Sequence, residues 1–377
     1  MTNPVKQLRD DASSPRSFRE TNSPGNRVLL VGPSLDILGG QAIQAARLLS
    51  RLREEPFVSV DFLPVNPRLP GPFRALQRVK YVRTLVTLPY YLVLLLTSVG
   101  RYDVIHTFSA SYLSFLLAPT PAILAARLFR RRVILNYRSG EAADHFVRWR
   151  RTAIPTVRLA HAVVVPSGYL VDVFSAFGIE AKAIPNFVDL EDLVYHPRRP
   201  LRPVFLSNRN FEPLYNVACT IDAFALIQRN VGDALLILAG DGSERAALEA
   251  RVRHHGLRNV TFLGKVSPQD MRGVYRNADI FLNSSNIDNM PTSIIEAFAS
   301  GLPVVTSNAG GIPYFVEHER TGLIFEKGDH AGMAEQALRL LRDETLAQKL
   351  IRNALAECGG YRWSAVRQQW LDLYNGS

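Results

Sequence analysis

Residues 28–52 read VLLVGPSLDILGGQAIQAARLLSRL. A short β-branched apolar run is followed by a loop that carries glycines, and then by apolar residues at helical spacing, which are Ile43, Leu48, Leu49 and Leu52. A strand, a glycine-bearing turn and a helix in this order form the opening unit of a parallel α/β sheet. The stretch therefore predicts an α/β fold.

The same unit recurs along the chain. Short buried-strand patterns occur at residues 102–109, 131–137 and 161–167, and again at 203–208, 234–240, 260–264, 279–284 and 303–307. Between the two sets, YHPRRPLRP at 195–203 holds three prolines, which is typical of a linker. The pattern predicts two Rossmann-like, doubly wound parallel sheets, one in residues 27–194 and one in residues 204–360.

The composition excludes several classes of protein. Of the 377 residues, 47% are hydrophobic and 21% charged, which rules out a wholly disordered, collagenous or polytopic membrane chain. Cys219 and Cys358 are too few for a disulfide scaffold or a thiolate zinc site, and no HExxH or CxxC pattern supports a metal. Residues 1–26 lack the apolar core of a signal peptide, so we expect a disordered leader and a cytoplasmic protein.

The positive charge is concentrated in the first half of the chain. Residues 1–200 hold 26 basic against 15 acidic residues, whereas residues 201–377 hold 18 against 19. Such asymmetry indicates an anionic partner (a lipid surface, a phosphorylated acceptor or nucleic acid) or simply a solvated basic face.

Residues 84–100, TLVTLPYYLVLLLTSVG, carry no charge and are interrupted by Pro89. We expect a buried or surface-lying helix rather than a membrane span. Together with the basic amphipathic segment 73–83 it could lie on an anionic lipid surface.

One acidic pair stands where a parallel sheet binds ligands. Seven residues separate Asp288, in a loop, from Glu296, on the first turns of a helix predicted over 292–300. The loop amides and the helix N-terminus favour a phosphate, and the two carboxylates can accept hydrogen bonds from sugar and ribose hydroxyls. A capped helix with a solvated Glu296 is the alternative.

The surrounding sequence resembles the E-x7-E motif of retaining, nucleotide-sugar-dependent glycosyltransferases of family 4. The motif is followed here by AFASGLPVVTSNAGGIP, and four more stretches match in order. They are the Gly-Gly loop and helix at 32–49, the end of the first domain at 183–190 (AIPNFVDL), the nucleotide-domain core at 238–285 and the terminal helix at 361–374. The resemblance implies the GT-B fold, in which two Rossmann-like domains face each other across a cleft. It also implies a terminal segment, 361–377, that returns to the first domain.

The resemblance implies roles for residues at matching positions. Glu296 would hold the donor ribose, Asp288 the transferred sugar, and Arg209 the diphosphate. The remaining donor-binding positions would be Gly39, Gly40, Gly264, Lys265, Asn289, Met290, Pro291, Thr292 and Ser293. No metal or other cofactor is implied, and a UDP-sugar is the favoured donor.

The sequence also departs from the family pattern. A lysine usually follows the arginine by five or six residues, where this chain has Leu214 and Tyr215. The usual histidine after the third strand of the first domain is also missing. Arg138 is our candidate for returning to the cleft the positive charge that the missing lysine would supply. These departures keep open a catalytically weak sugar-nucleotide binder, or another GT-B enzyme such as a sugar-nucleotide epimerase.

Other motifs are less informative. GDGSER at 240–245 lacks the third glycine of a dinucleotide fingerprint, and no P-loop occurs. RLFRRR at 127–132 has no interleaved aromatic residues, so we expect a helix end or membrane-facing surface rather than a nucleic-acid site. The sequence as a whole predicts a glycosyltransferase at the inner face of the membrane. Its expected substrates are a nucleotide sugar and an anionic or lipid-linked acceptor in polysaccharide or glycolipid synthesis.

Overall fold

The computed structural model describes residues 25–35, 39–193 and 195–376, so most of the expected leader lies outside the described residues. The chain divides into two compact units. The N-terminal unit ends at Pro166 but also includes Leu170–Ile184 and the residues from Gln368 onwards, and the C-terminal unit consists of Ser167–Tyr169 and Pro185–Arg367. The division thus follows Ile184, whereas the sequence placed the boundary at residue 194 and the linker at 195–203.

A six-stranded parallel sheet forms the N-terminal unit, with strand order β2-β1-β3-β4-β5-β6. The strands are β1 (Asn26–Gly32), β2 (Val58–Pro64), β3 (Val104–Ser109), β4 (Arg132–Tyr137), β5 (Ala162–Val165) and β6 (Lys182–Ala183). The helices are α1 (Gly40–Arg53), α2 (Lys80–Val99), α3 (Tyr112–Leu117), α4 (Pro119–Leu128), α5 (Ala142–Arg148), α6 (Arg150–Val157) and α7 (Gly168–Ser175). A 3₁₀ helix over Gly71–Arg78 precedes α2.

The C-terminal unit repeats the architecture with strand order β12-β11-β10-β7-β8-β9. Its strands are β7 (Val204–Ser207), β8 (Leu235–Ala239), β9 (Val260–Gly264), β10 (Ile280–Asn283), β11 (Val304–Ser307) and β12 (Leu323–Phe325). The helices are α8 (Val217–Asn230), α9 (Arg245–His254), α10 (Pro268–Asn277), α11 (Thr292–Ala299), α12 (His330–Arg342), α13 (Glu344–Glu357) and α14 (Trp363–Asn375). The last turns of α14 belong to the N-terminal unit, where the Tyr374 hydroxyl bonds His106 of β3.

Burial explains which strands the sequence revealed. β3, β10 and β11 are buried at every position, so each begins with two or three consecutive apolar residues rather than an alternation. The pattern analysis missed β2, β6 and β12. β2 mixes buried with exposed positions, β6 is an exposed pair of residues, and β12 has only three residues.

Strand order locates the ligand-binding edge of the C-terminal sheet. The chain leaves β7 to build β8 and β9 on one side, and then returns to place β10 on the other side of β7. Ligands of open parallel sheets bind outside the carboxyl ends of the strands at such a switch point. Loops that follow β7 and β10 therefore flank the expected site.

Candidate functional site

Arg209 and Asp288 meet at this switch point. Arg209 follows β7 and donates from Nη2 to Asp288 Oδ2 at 2.5 Å and from Nη1 to Ser293 Oγ at 3.1 Å. The arginine side chain is 10% exposed and the aspartate side chain 12%. The guanidinium carbon lies 4.1 Å from the centre of the Tyr215 ring, so the fork is held at its face as well as at two of its nitrogens.

Several polar atoms around this pair are buried without a partner in the described part of the chain. They are Oγ of Ser207, Oδ1 of Asn208, Nε of Arg209 and Nδ2 of Asn289. A buried polar group without a hydrogen bond costs about 1–3 kcal/mol. Three of these atoms lie at or just after the end of β7 and the fourth in the loop after the neighbouring β10, which indicates a place for a polar ligand, since a bound ligand would supply the missing partners.

Glu296 lies one turn further into the site, on α11. Its Oε2 accepts a hydrogen bond from the Tyr275 hydroxyl at 2.9 Å, and that hydroxyl in turn accepts one from Asn208 Nδ2 at 2.7 Å. Tyr275 is buried and Glu296 is partly exposed. This chain of bonds holds one oxygen of the Glu296 carboxylate in place.

The loop that carries Asp288 rests on a pair of glycines. A Cβ at Gly310 would collide with the carbonyl oxygen of Asp288, and one at Gly311 would collide with that of Asn289. Gly310 also has a φ of +51°, which favours glycine. Ser285 Oγ donates to Asp288 Oδ2 at 3.1 Å, and the Asn289 amide donates to Oδ1 at 2.9 Å. The acidic side chain is thus positioned by backbone packing and by two further hydrogen bonds.

The other predicted loop residues divide between packing and the site. Met290 packs its side chain with Val188 and Ile295, and its carbonyl oxygen accepts from Asn186 Nδ2 at 2.6 Å. Pro291 precedes α11, and no described side chain caps the first turn of this helix, which begins at Thr292. The N-terminus of α11 is therefore available to an anion. Because the Met290 side chain lies in the core, only its backbone could contact a nucleotide-sugar donor.

The other residues predicted to bind the nucleotide-sugar donor are distant in the chain from the cluster around Arg209 and Asp288. Gly264 has a φ of +70° and ends the edge strand β9, and Lys265 beside it is exposed. Gly39 and Gly40 open α1 in the N-terminal unit. A Cβ on either of these two would meet no described atom within 4 Å. Packing among the described residues therefore gives no reason for glycine at the start of α1.

Arg138 follows β4 in the N-terminal unit. It donates from Nη1 to Asn136 Oδ1 at 3.2 Å, while its Nη2 is buried and has no partner among the described residues. Burial lowers the pKa of Arg138 to about 10, so it remains a cation near neutral pH. Asn136 Nδ2 in turn lies 3.1 Å from Nε2 of His106, which makes this nitrogen the acceptor of a neutral ring. Burial, with a smaller contribution from Arg138, lowers the pKa of His106 to about 3.

Sequence reasoning did not assign roles to Tyr275, Asn208 or Ser285. Tyr275 lies on α10, and only the fold brings it to Glu296. Tyr215 was noted as a departure from the lysine pattern, and the structure places its ring against Arg209. Nothing in the local sequence marks these residues, because their partners lie on other elements.

No group of three or more His, Cys, Asp or Glu side chains in the described ranges is arranged to hold a metal ion.

Two family models match adjacent parts of the chain. Glycosyltransferase Family 4 matches residues 38–192, and Glycosyl transferases group 1 matches residues 194–356. The N-acetyl-alpha-D-glucosaminyl L-malate synthase of Bacillus anthracis is 35% identical over 148 residues, which are 39% of this chain and 38% of that protein. The phosphatidyl-myo-inositol mannosyltransferase of Mycobacterium leprae is 27% identical over 207 residues, 53% of this chain and 54% of that protein. The matches thus span about half or less of these two relatives.

Among solved structures, that of Anabaena HepE in complex with UDP-glucose has a TM-score of 0.75 to this chain at 19% identity. The match covers 93% of this chain and 100% of the other. At this identity the likeness shows a shared fold.

Proposed function

Because this chain belongs to the GT-B glycosyltransferases of the family 4 type, we propose that it transfers a sugar from a nucleoside diphosphate donor to an acceptor hydroxyl. The observation that carries the proposal is the cluster of Arg209, Asp288, Ser293 and Glu296 at the switch point, with four buried polar atoms around it that need a partner. Residues of the C-terminal unit would bind the donor, and the N-terminal unit would select the acceptor.

The geometry supports departure of a diphosphate. The Arg209 fork can meet two phosphate oxygens, and the N-terminus of α11 adds backbone donors and the helix dipole. Both stabilise the charge that develops as the sugar–oxygen bond breaks. No metal is proposed, because the Arg209 guanidinium and the N-terminus of α11 would stabilise the charge on the leaving diphosphate. It includes retention of the anomeric configuration, with attack from the face that the diphosphate leaves.

Glu296 would accept hydrogen bonds from the donor ribose, and Asp288 from the transferred sugar. UDP is the favoured nucleotide, supported by the solved complex of HepE with UDP-glucose. The sugar is expected to be a hexose. Gly39 and Gly40 would let the diphosphate approach the start of α1, since nothing described packs where their Cβ atoms would be.

The acceptor would be anionic or lipid-linked, in cell-surface polysaccharide or glycolipid synthesis. The excess of basic residues in the first 200 positions supports this proposal. So does the relative from Mycobacterium leprae, whose name specifies a phosphatidyl-inositol acceptor. The protein would then act in the cytoplasm at the inner face of the membrane, through peripheral contact by its N-terminal half.

A catalytically weak donor binder is the second candidate. It is favoured by Tyr215, whose ring occupies the face of Arg209 near where the family lysine would add a second positive charge. Donor binding without transfer or slow donor hydrolysis would identify this alternative. Interconversion of donors with no acceptor present would instead indicate an epimerase.

The test is thermal unfolding with UDP, GDP and ADP for the wild type, Glu296→Ala and the control Glu335→Ala, which removes an exposed glutamate on α12. A nucleotide at about 100 times its dissociation constant should stabilise the protein by about 2.7 kcal/mol. Stabilisation by one nucleotide in the wild type and the control, and its loss in Glu296→Ala, would support the site. No stabilisation by any nucleotide would contradict the proposal.

A further inference from the structure

One face of the N-terminal unit exposes large apolar side chains. In the 3₁₀ helix at Gly71–Arg78, Phe73 and Leu76 point outward, followed by Val79. Phe73 and Leu76 are three residues apart, which is the period of a 3₁₀ helix, so they share one side of it, and Val79 follows in extended backbone before α2. On α2, Leu85, which is 75% exposed, is followed by the exposed side chains of Val93 and Leu96. We call these six residues the apolar face.

Polarity is inverted across this face. Gln77 lies on the inner side of the 3₁₀ helix, where Nε2 donates to the Pro67 carbonyl at 2.8 Å and to Thr87 Oγ1 at 3.0 Å. Thr87 is buried, whereas Leu85 two residues earlier is exposed. At these positions the polar side chains of Gln77 and Thr87 face the protein, while the apolar side chain of Leu85 faces outward. Water would favour the reverse, so the arrangement indicates an apolar medium outside.

The inner side of α2 is anchored in the unit. Thr87, Tyr91, Leu95 and Val99 recur at four-residue spacing and are buried. The Tyr91 hydroxyl donates to the Ala118 carbonyl at 2.9 Å, which ties α2 to the segment before α4. By length and composition, Val82–Val99 is the one stretch of the described chain apolar enough to cross a membrane. Its anchored inner side instead favours a helix that lies along a surface.

Basic residues border the apolar face. Residues 71–132 contain nine Arg or Lys and one acidic residue, Asp103. Arg74 and Arg83 are exposed beside the apolar stripe, and Arg101, Arg127 and Arg130 are exposed at the carboxyl ends of α2 and α4. Asp103 is paired with Arg27 at 3.1 Å. The charge complements an anionic surface and opposes pairing with a second copy of the same face.

We propose that the apolar face inserts into the headgroup region of an anionic lipid bilayer, with α2 parallel to the membrane plane and the bordering arginines at the lipid phosphates. This is the arrangement of an interfacial amphipathic helix rather than a span. It deepens the proposed function, on which the choice of a membrane partner rests, because it defines the contact that would bring the acceptor-selecting unit to a lipid-linked acceptor.

The first test is co-sedimentation with vesicles of phosphatidylcholine mixed with phosphatidylglycerol, and with vesicles of phosphatidylcholine alone. The double variant Phe73→Asp/Leu85→Asp should reduce binding to the mixed vesicles more than about tenfold, because two apolar anchors become anionic. The matched control is Phe57→Asp/Val147→Asp in the same unit. Phe57 and Val147 are 68% and 67% exposed, against 61% for Phe73, and they lie outside the face. The control should bind like the wild type.

A second variant tests the charge. Arg74→Gln/Arg83→Gln should weaken binding to the mixed vesicles by about 30-fold and reduce its sensitivity to salt, since each of the two basic residues near an anionic surface contributes about 1 kcal/mol. Thermal unfolding with and without UDP is measured for every variant, and the stabilisation by UDP should equal that of the wild type. If UDP does not stabilise the wild type, the proposed function is contradicted. Vesicle binding is a separate measurement and would still test the membrane contact.

Three results would overturn the inference. One is absence of wild-type binding to the mixed vesicles. Another is an equal loss of binding in the Phe57→Asp/Val147→Asp control. The third is a wild-type dimer by light scattering that Phe73→Asp/Leu85→Asp converts to a monomer, because the face would then be an interface between copies.

Discussion

Replacement of Asp288 by asparagine separates the charge of this residue from its shape. In the wild type, Asp288 receives hydrogen bonds from Arg209 at 2.5 Å and from Ser285 at 3.1 Å. Asparagine fits the same space but leaves the guanidinium, whose side chain is only 10% exposed, without a counter-charge. Arg209 keeps its bond to Ser293 and its contact with Tyr215.

The expected cost follows from this burial. Removing one partner of a well-buried pair costs about 3–5 kcal/mol, and a hydrogen bond to a charged group contributes about 1.5–3 kcal/mol. Since the amide oxygen of asparagine can still accept from Arg209, we expect the lower part of these ranges, about 2–3 kcal/mol. Each kcal/mol shifts the midpoint of thermal unfolding of a domain the size of the C-terminal unit by about 2–4 °C. The midpoint of thermal unfolding should therefore fall by about 4–12 °C.

A diphosphate should reverse part of this loss. In the wild type Arg209 is neutralised by Asp288, whereas in Asp288→Asn a bound diphosphate would be its counter-charge. If about 1.4 kcal/mol is recovered in the complex, the affinity for UDP rises about tenfold. Uridine lacks phosphate and should not distinguish the two proteins. Transfer should nevertheless decline, because the proposed contact to the sugar is weakened.

The assay is thermal unfolding and calorimetric titration with UDP and uridine. The control is Glu249→Gln, whose partner Arg245 lies 2.9 Å away on the exposed surface of α9. An exposed pair of this kind contributes little. An unchanged midpoint in Asp288→Asn, or weaker binding of UDP than in the wild type, would refute the reasoning that Asp288 and the diphosphate share Arg209.

Three other predictions concern neighbouring groups. Tyr275→Phe removes the donor to Glu296 and should lower UDP affinity about fivefold by titration, at about 1 kcal/mol for the bond; an unchanged affinity would contradict a positioning role. Gly310→Ala adds a Cβ against the Asp288 carbonyl at positive φ and should cost more than about 1 kcal/mol in urea unfolding. Gly328→Ala, at a φ of +84° but with open space, should cost less, and equal costs would exclude the clash. The pKa of His106, about 3 when folded, lies below its unfolded value, so the unfolded state binds the proton first and stability should fall with pH below about 6.5. His106→Gln should show a smaller fall in urea unfolding between about pH 7 and about pH 5, and an unchanged slope would assign the loss to other groups.

Local patterning was enough to predict most of the fold. Fully buried strands such as β3 and β11 begin with consecutive apolar residues, and α11 follows a loop that contains Asn286, Asn289 and Pro291. The predicted helix over 292–300 matches α11 at Thr292–Ala299. Short or half-exposed strands such as β6 escaped, because a few residues without a buried face carry no period.

The candidate site was only partly accessible from the sequence. The spacing of Asp288 and Glu296 is a local property, so it could be recognised along the chain. The bond from Tyr275 to Glu296 joins separate helices, and the contact of Tyr215 with Arg209 depends on how the loop after β7 turns back. Likewise, the sequence showed that residues 73–100 are apolar and basic, but not that Leu85 is exposed while Thr87 is buried.

The sequence by itself determined the two parallel sheets and the chemistry available after β7 and β10, because hydrophobic periodicity and motif spacing act between near neighbours. Only the tertiary structure decided which polar groups meet, since strand order brings β7 beside β10 although more than seventy residues separate them in the chain. Placing their carboxyl ends at one switch point turned an arginine, two carboxylates and a helix N-terminus into a single candidate site.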